Sequence, residues 1–185
     1  MPFETAHALI IGVGSYAHQP EMNVPITVED AMEVADVLRN PRYCGYPEGQ
    51  VTLLTEGEAT RERVEGLLDE LAATLTEQDT FLLFYSGHGE YGEDGYYLTT
   101  HDTRMSEGKV VAGTGVQEWV LLEKLQAIRA KRVFLLFNAC HSGEISPQAL
   151  GDELEATGRS LPERTATALL GTGEGRVIIT ACRET

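Results

Sequence analysis

The stretch Arg132-Val133-Phe134-Leu135-Leu136-Phe137-Asn138-Ala139-Cys140-His141-Ser142-Gly143 constrains the fold more than any other part of this chain. Between Arg132 and Phe137 five of six residues are apolar. This pattern suits a parallel strand covered on both faces, and it stops in small and polar residues. A second run, Thr80-Phe81-Leu82-Leu83-Phe84-Tyr85, ends the same way, in Ser86-Gly87-His88-Gly89. In an open parallel α/β sheet the carboxyl ends of the strands border the ligand crevice. The two runs therefore carry a His and a Cys to one edge, with the Cys 52 positions after the His (140 minus 88).

The rest of the chain supplies the alternation that such a sheet needs. His7-Ala8-Leu9-Ile10-Ile11-Gly12-Val13-Gly14 reads as the first strand. Its Gly12-x-Gly14 lacks the third glycine of a dinucleotide fingerprint, so nucleotide binding is not expected. Thr27 offers a cap with Asp30 three residues later, and Ala31, Val34, Ala35 and Leu38 recur at helical spacing up to Pro41. A short strand over Gln50–Leu54 precedes an amphipathic helix from about Thr60 to Leu75. That helix has Val64, Leu67, Leu68 and Leu71 on one face and Gly66 as a local weakness. Asp94-Gly95 predicts a hairpin among small accessory strands. A helix from Gln117 to about Ala130 offers Trp119, Leu122, Leu125 and Ile128 for burial against the sheet. Residues 144–175 are glycine-punctuated and polar and read as a mobile loop before a last strand over Val177–Ala181. The expected fold is α/β, a mostly parallel central sheet with helices on both faces, in one domain over residues 1–185.

Charge bounds the partners. A formal net charge of −15 and a pI near 4.6 argue against nucleic acid or an anionic membrane surface, since like charge repels both. Neither an apolar run long enough for a membrane span nor a basic region ahead of an apolar one is found, so a cytoplasmic location is expected. The three cysteines, Cys44, Cys140 and Cys182, are widely spaced and odd in number, which suits a reducing compartment and forms no metal-ligand spacing. Cys44 and Cys182 read as small buried hydrophobes or incidental thiols.

The pair Ser86-Gly87-His88-Gly89 and Ala139-Cys140-His141-Ser142-Gly143 resembles the caspase-like cysteine peptidases, with the His-Ser-Gly after the Cys closer to the metacaspase or bacterial branch. The resemblance runs over roughly residues 7–183 and implies a caspase-like (haemoglobinase) fold. It also implies peptide hydrolysis by a Cys-His dyad. A free thiol is mostly protonated near neutral pH, so a thiol peptidase places an imidazole within reach of it. His88 is the candidate, because His141 adjoins Cys140 and adjacent side chains after a strand usually point apart. Charge developing on the substrate oxygen needs backbone N–H donors, and Gly89 and Cys140 would supply them. A glycine beside the base would let backbone approach the substrate closely.

The same resemblance extends to specificity. Metacaspases favour basic residues through acidic pocket walls, one in an Asn-Asp-Ala-like helix start and one two residues before the Cys. The first is kept as Glu29-Asp30-Ala31, whereas the second is Asn138, a departure that removes a charge. No arginine lies between Gly12 and Asp30, where the caspase pattern places a pocket arginine. Asp30 facing an Arg or Lys would make a charge-assisted pair, so cleavage after basic residues is expected. As a bland alternative, Asp30 is a charge at a helix N-terminus interacting with the dipole.

Further expectations follow from the family. The strand resembling Val177–Glu184 is followed there by a further strand and helices, so a C-terminal small-subunit segment or second chain is implied, with residues 1–185 as the large-subunit part. Without it a hydrophobic sheet edge would be exposed. Arg164 and Arg159 are the only basic residues in 144–175 and are the candidate self-cleavage sites, with Pro162 favouring Arg164. No cofactor is expected. Some metacaspases require calcium, for which Glu90, Glu93, Asp94 and Asp102 are the acids at hand, but no EF-hand-like spacing is present. Two other classes fit the same residues: a catalytically silent module that holds a peptide in the crevice, and a thiol hydrolase of small amides.

Overall fold

A computed structural model describes residues 3–139, 167–168, 171 and 175–181. In chain order the strands are β1 (Ala6–Gly12), β2 (Val51–Thr55), β3 (Thr80–Gly87), β4 (Gly89–Gly92), β5 (Gly95–Leu98), β6 (Met105–Ser106), β7 (Lys109–Val110), β8 (Val116–Gln117), β9 (Arg132–Ala139) and β10 (Arg176–Ala181). The helices are α1 (Ile26–Arg39), α2 (Arg61–Thr74) and α3 (Glu118–Ala127). Among the described residues the central sheet has the order β10-β9-β3-β1-β2, and every pair in it is parallel. A second, smaller sheet runs β6-β7-β4-β5-β8.

The strands divide their side chains by period two. Leu9, Ile11, Phe81, Leu83, Tyr85, Val133, Leu135 and Phe137 point to the face covered by α2 and α3 through Val64, Leu68, Leu121 and Leu125. Ala6, Ala8, Ile10 and Phe84 point to the other face, covered by Ala31, Ala35 and Leu38 of α1. Burial of each large side chain in these layers is worth about 1.5–3 kcal/mol. The α/β architecture with helices on both faces is thus the one expected. No helix among the described residues is long and apolar enough to cross a membrane.

Several local expectations need correction. The strand from Arg132 is not covered on both faces: Val133, Leu135 and Phe137 are buried, but Phe134 is 39% exposed because α1 lies mainly over β1, β2 and β3 and meets β9 at its Asn138 end. β10 continues that open face with Val177 and Ile179, 43% and 57% exposed. Thr27 is not the cap of α1. Pro25 occupies the N-cap position, and the Thr27 hydroxyl, one residue inside the helix, donates to the Val24 carbonyl at 2.9 Å. Thr60, by contrast, caps α2 through the Arg63 N–H, and the carboxylate of Asp102 takes the Arg61 N–H at 2.9 Å. Trp119 is 58% exposed, since α3 turns Leu121 and Leu125 inward instead. The accessory hairpin joins Gly92 to Gly95 through Glu93 and Asp94, so Asp94-Gly95 straddles its end and does not form its centre. Gly12, the last residue of β1, serves packing: a Cβ there would lie 2.6 Å from the Thr27 carbonyl oxygen and 2.7 Å from the Ala31 Cβ.

Candidate active site

β3 and β9 pair in a register that matches Ser86 with Asn138 and Gly87 with Ala139. Neighbouring strands lie about 5 Å apart, so the two chains leave the sheet side by side. The residue after Gly87 is His88, and the residue after Ala139 is Cys140. Cys140 itself, with His141, Arg159, Arg164 and Cys182, lies outside the described residues. His88 is the single residue between β3 and β4, at the corner where the central sheet hands over to the small one.

His88 is 5% exposed and held on several sides. Its Nε2 lies 2.8 Å from the backbone carbonyl oxygen of Met22. A carbonyl can only accept, so Nε2 carries the proton and Nδ1 is the nitrogen able to take another. The Tyr16 ring stacks on the imidazole, with centroids 5.4 Å apart and 22° between planes. The Tyr16 hydroxyl accepts the His88 N–H at 3.2 Å and bonds Thr99 Oγ1 at 2.9 Å. The His88 carbonyl receives the Thr99 hydroxyl at 2.8 Å and the Tyr85 hydroxyl at 2.7 Å. Burial, ahead of its hydrogen bonds and the Glu90 charge, pushes the Tyr16 phenol up to about 12. Burial also holds Tyr85 well above the ordinary tyrosine value. Both are neutral phenols at any working pH.

A second cluster lies where β3, β9 and α1 converge. Ser86 Oγ donates to Asp30 Oδ2 at 3.2 Å, and Asn138 Nδ2 donates to the same oxygen at 3.2 Å and to Ser86 Oγ at 3.1 Å. Asp30 and Asn138, the two candidate pocket residues, are therefore in direct contact. Their third member, Ser86, is fully buried and was overlooked in the sequence. Its signal was parity: Ser86 and Asn138 each stand two residues before a reactive side chain and point to the α1 face. Tyr16, Met22 and Thr99 were missed as well. Met22 acts through its carbonyl, which no sequence pattern marks.

Packing gives Gly89 a reason of its own. A Cβ there would fall 1.7 Å from the Tyr96 hydroxyl, so buried Tyr96 is what excludes a side chain. The four acids considered for calcium are dispersed. Asp102 serves the start of α2, Asp94 accepts from Tyr97 at 2.7 Å, Glu93 lies 3.7 Å from Lys109, and Glu90 is buried, with its charge bearing on Tyr16 and Tyr85. Among the described residues no group of three or more His, Cys, Asp or Glu side chains could hold a metal ion.

Against known proteins, the family description Caspase domain matches residues 5–183. No curated protein matches the chain. Among solved structures, the crystal structure of a protein from Geobacter sulfurreducens is similar with a TM-score of 0.56 and 21% identity, over 91% of this chain. This chain spans 62% of that one, and at such identity the likeness concerns the fold alone.

Proposed function

This chain belongs to the caspase-domain family of cysteine peptidases, and from that premise we propose that it is an endopeptidase cleaving after Arg or Lys through the dyad of His88 and Cys140. One observation supports the dyad above others: His88 is buried at the strand end paired with the one that leads to Cys140, in the tautomer that leaves Nδ1 basic. In this reading Nδ1 takes the thiol proton of Cys140, and the thiolate adds to the carbonyl carbon of the scissile peptide. The oxyanion is met by the backbone N–H groups of Gly89 and Cys140. Collapse expels the amine, which leaves with the proton from the imidazolium, and the thioester is then hydrolysed by water activated at the same nitrogen. Throughout, the Met22 carbonyl keeps the Nε2 proton and stabilises the imidazolium.

Asp30 supports basic specificity. Both donors from Ser86 and Asn138 fall on Oδ2, and a guanidinium or ammonium group can pair with the carboxylate. Asn138 replaces a second charge with a donor, so selectivity rests on Asp30. The open face at Phe134, Val177 and Ile179 supports completion by a C-terminal segment or second chain laid beside β10. Protein or peptide substrates, a cytoplasmic setting and self-processing at Arg164 or Arg159 complete the reading.

Cys140→Ala and His88→Ala test it. Each should reduce cleavage of an Arg-containing peptide by roughly 10³-fold or more while retaining the far-UV circular dichroism of the parent. Near-native turnover in either variant would remove the dyad. Irreversible labelling of Cys140 by a peptidyl electrophile bearing Arg, but not by one bearing Asp, separates a working enzyme from a silent peptide-binding module.

A further inference from the structure

We infer that Tyr16 is a positioning residue for His88, setting both the plane of the imidazole and the peptide units that carry it. The inference rests on the reading of His88 as the base. Tyr16 is 2% exposed and lies in the loop between β1 and α1, the loop that also provides the Met22 carbonyl. Its own N–H donates to Asn23 Oδ1 at 2.9 Å, which ties the tyrosine to the residue next to Met22. The stacked ring at 5.4 Å and the Nε2 bond to Met22 at 2.8 Å therefore come from one locally braced segment. The first fixes the tilt of the imidazole and the second its rotation about χ2.

The hydroxyl closes a directed ring around the base. When Thr99 Oγ1 places its proton on the His88 carbonyl, Tyr16 donates to Thr99, and its oxygen accepts from the His88 N–H. The order is His88 N–H to Tyr16 O–H to Thr99 O–H to His88 C=O. A neutral phenol is required for this order, and the raised titration of Tyr16 preserves it across the working range. The ring face also presents its negative quadrupole to the side chain that must carry positive charge during acylation. Phenylalanine keeps that face and loses the directed ring; leucine loses both.

The experiment reads the dyad without turnover. Cys140 is alkylated by iodoacetamide across pH 5–10 in the full chain and in Tyr16→Phe, Tyr16→Leu and Thr99→Val, and the His88 tautomer is read from its imidazole nitrogen resonances. Tyr16→Leu should mix the tautomers, move the alkylation profile toward higher pH and slow labelling at pH 7 by about 10- to 100-fold, the scale of a misplaced catalytic group. Tyr16→Phe should keep the Nε2–H tautomer and fall between leucine and the parent. Wild-type tautomer and profile in both tyrosine variants would overturn the inference. Where Tyr16→Leu does not fold, Tyr16→Phe and Thr99→Val decide, and parental labelling in both overturns it. In a parallel arm, a parental profile in His88→Ala would instead dismiss His88 as the base, a separate failure.

Discussion

Asn138 donates through Nδ2 to Asp30 Oδ2 at 3.2 Å, joining the end of β9 to the second turn of α1. The contact makes Asp30 part of the sheet edge and not merely a charge at a helix start. It also spends an amide donor on the carboxylate that a basic substrate would approach.

Asp30→Asn should lower kcat/KM for peptides with Arg or Lys before the scissile bond by about 10- to 100-fold, the worth of one charge-assisted hydrogen bond. Matched peptides with Gln at that position should change much less. Equal losses on both peptide sets would show that Asp30 supports the fold of the site and not its choice of substrate.

Gly89→Ala should destabilise the protein by about 1–3 kcal/mol, because the new methyl group overlaps a buried tyrosine hydroxyl 1.7 Å from its Cβ position. Peptide cleavage should fall along with stability, since the same strand start follows the base. Urea unfolding measures the first effect. A midpoint unchanged from the parent would mean that Tyr96 moves aside freely.

His7 gives the protein an acid-sensitive component of stability. Burial, partly offset by Asp79, holds its imidazole below the ordinary 6.5, and the Gln50 amide at 3.0 Å donates to its Nε2, which requires the neutral ring. The unfolded chain therefore binds a proton there before the folded one does, so this contribution is intact above about pH 6.5 and is lost as pH falls below it. Unfolding free energies measured from pH 8 to pH 5 should decline less in His7→Gln than in the parent. Parallel curves would remove His7 from the acid response.

Self-processing should appear as two fragments cut after Arg164, or after Arg159, in intact-mass spectra of the full chain. Cys140→Ala should remain whole. Fragments that persist in that variant would assign the cut to another protease, and cutting after an acidic residue would overturn the basic pocket too.

The unbroken apolar runs Ala8–Ile11 and Phe81–Tyr85 made the sheet legible, because parallel strands packed on both faces leave continuous hydrophobic stretches in the order of residues. His88 was legible for a related reason, since a strand must end in something and this one ends in a reactive side chain. What stayed hidden depends on packing across distant segments. The cover over Phe134 depends on how far α1 reaches, which the Arg132–Phe137 run does not encode. Trp119 looked like core by composition, and only the rotation of α3 exposes it. Met22 contributes a carbonyl that any residue would offer, and Ser86 joins Asn138 only through a strand register that skips 52 positions of chain (138 minus 86).

The corner at His88 has a mechanical side. β3 ends at Gly87 and β4 begins at Gly89, so the base is the one residue of chain between a strand of the central sheet and a strand of the small one. No slack chain lies on either side to absorb a displacement. A displacement of β4 therefore reaches the imidazole through a single peptide unit, while Tyr96, Leu98 and Val116 of the same small sheet anchor it in the core shared with α2 and α3.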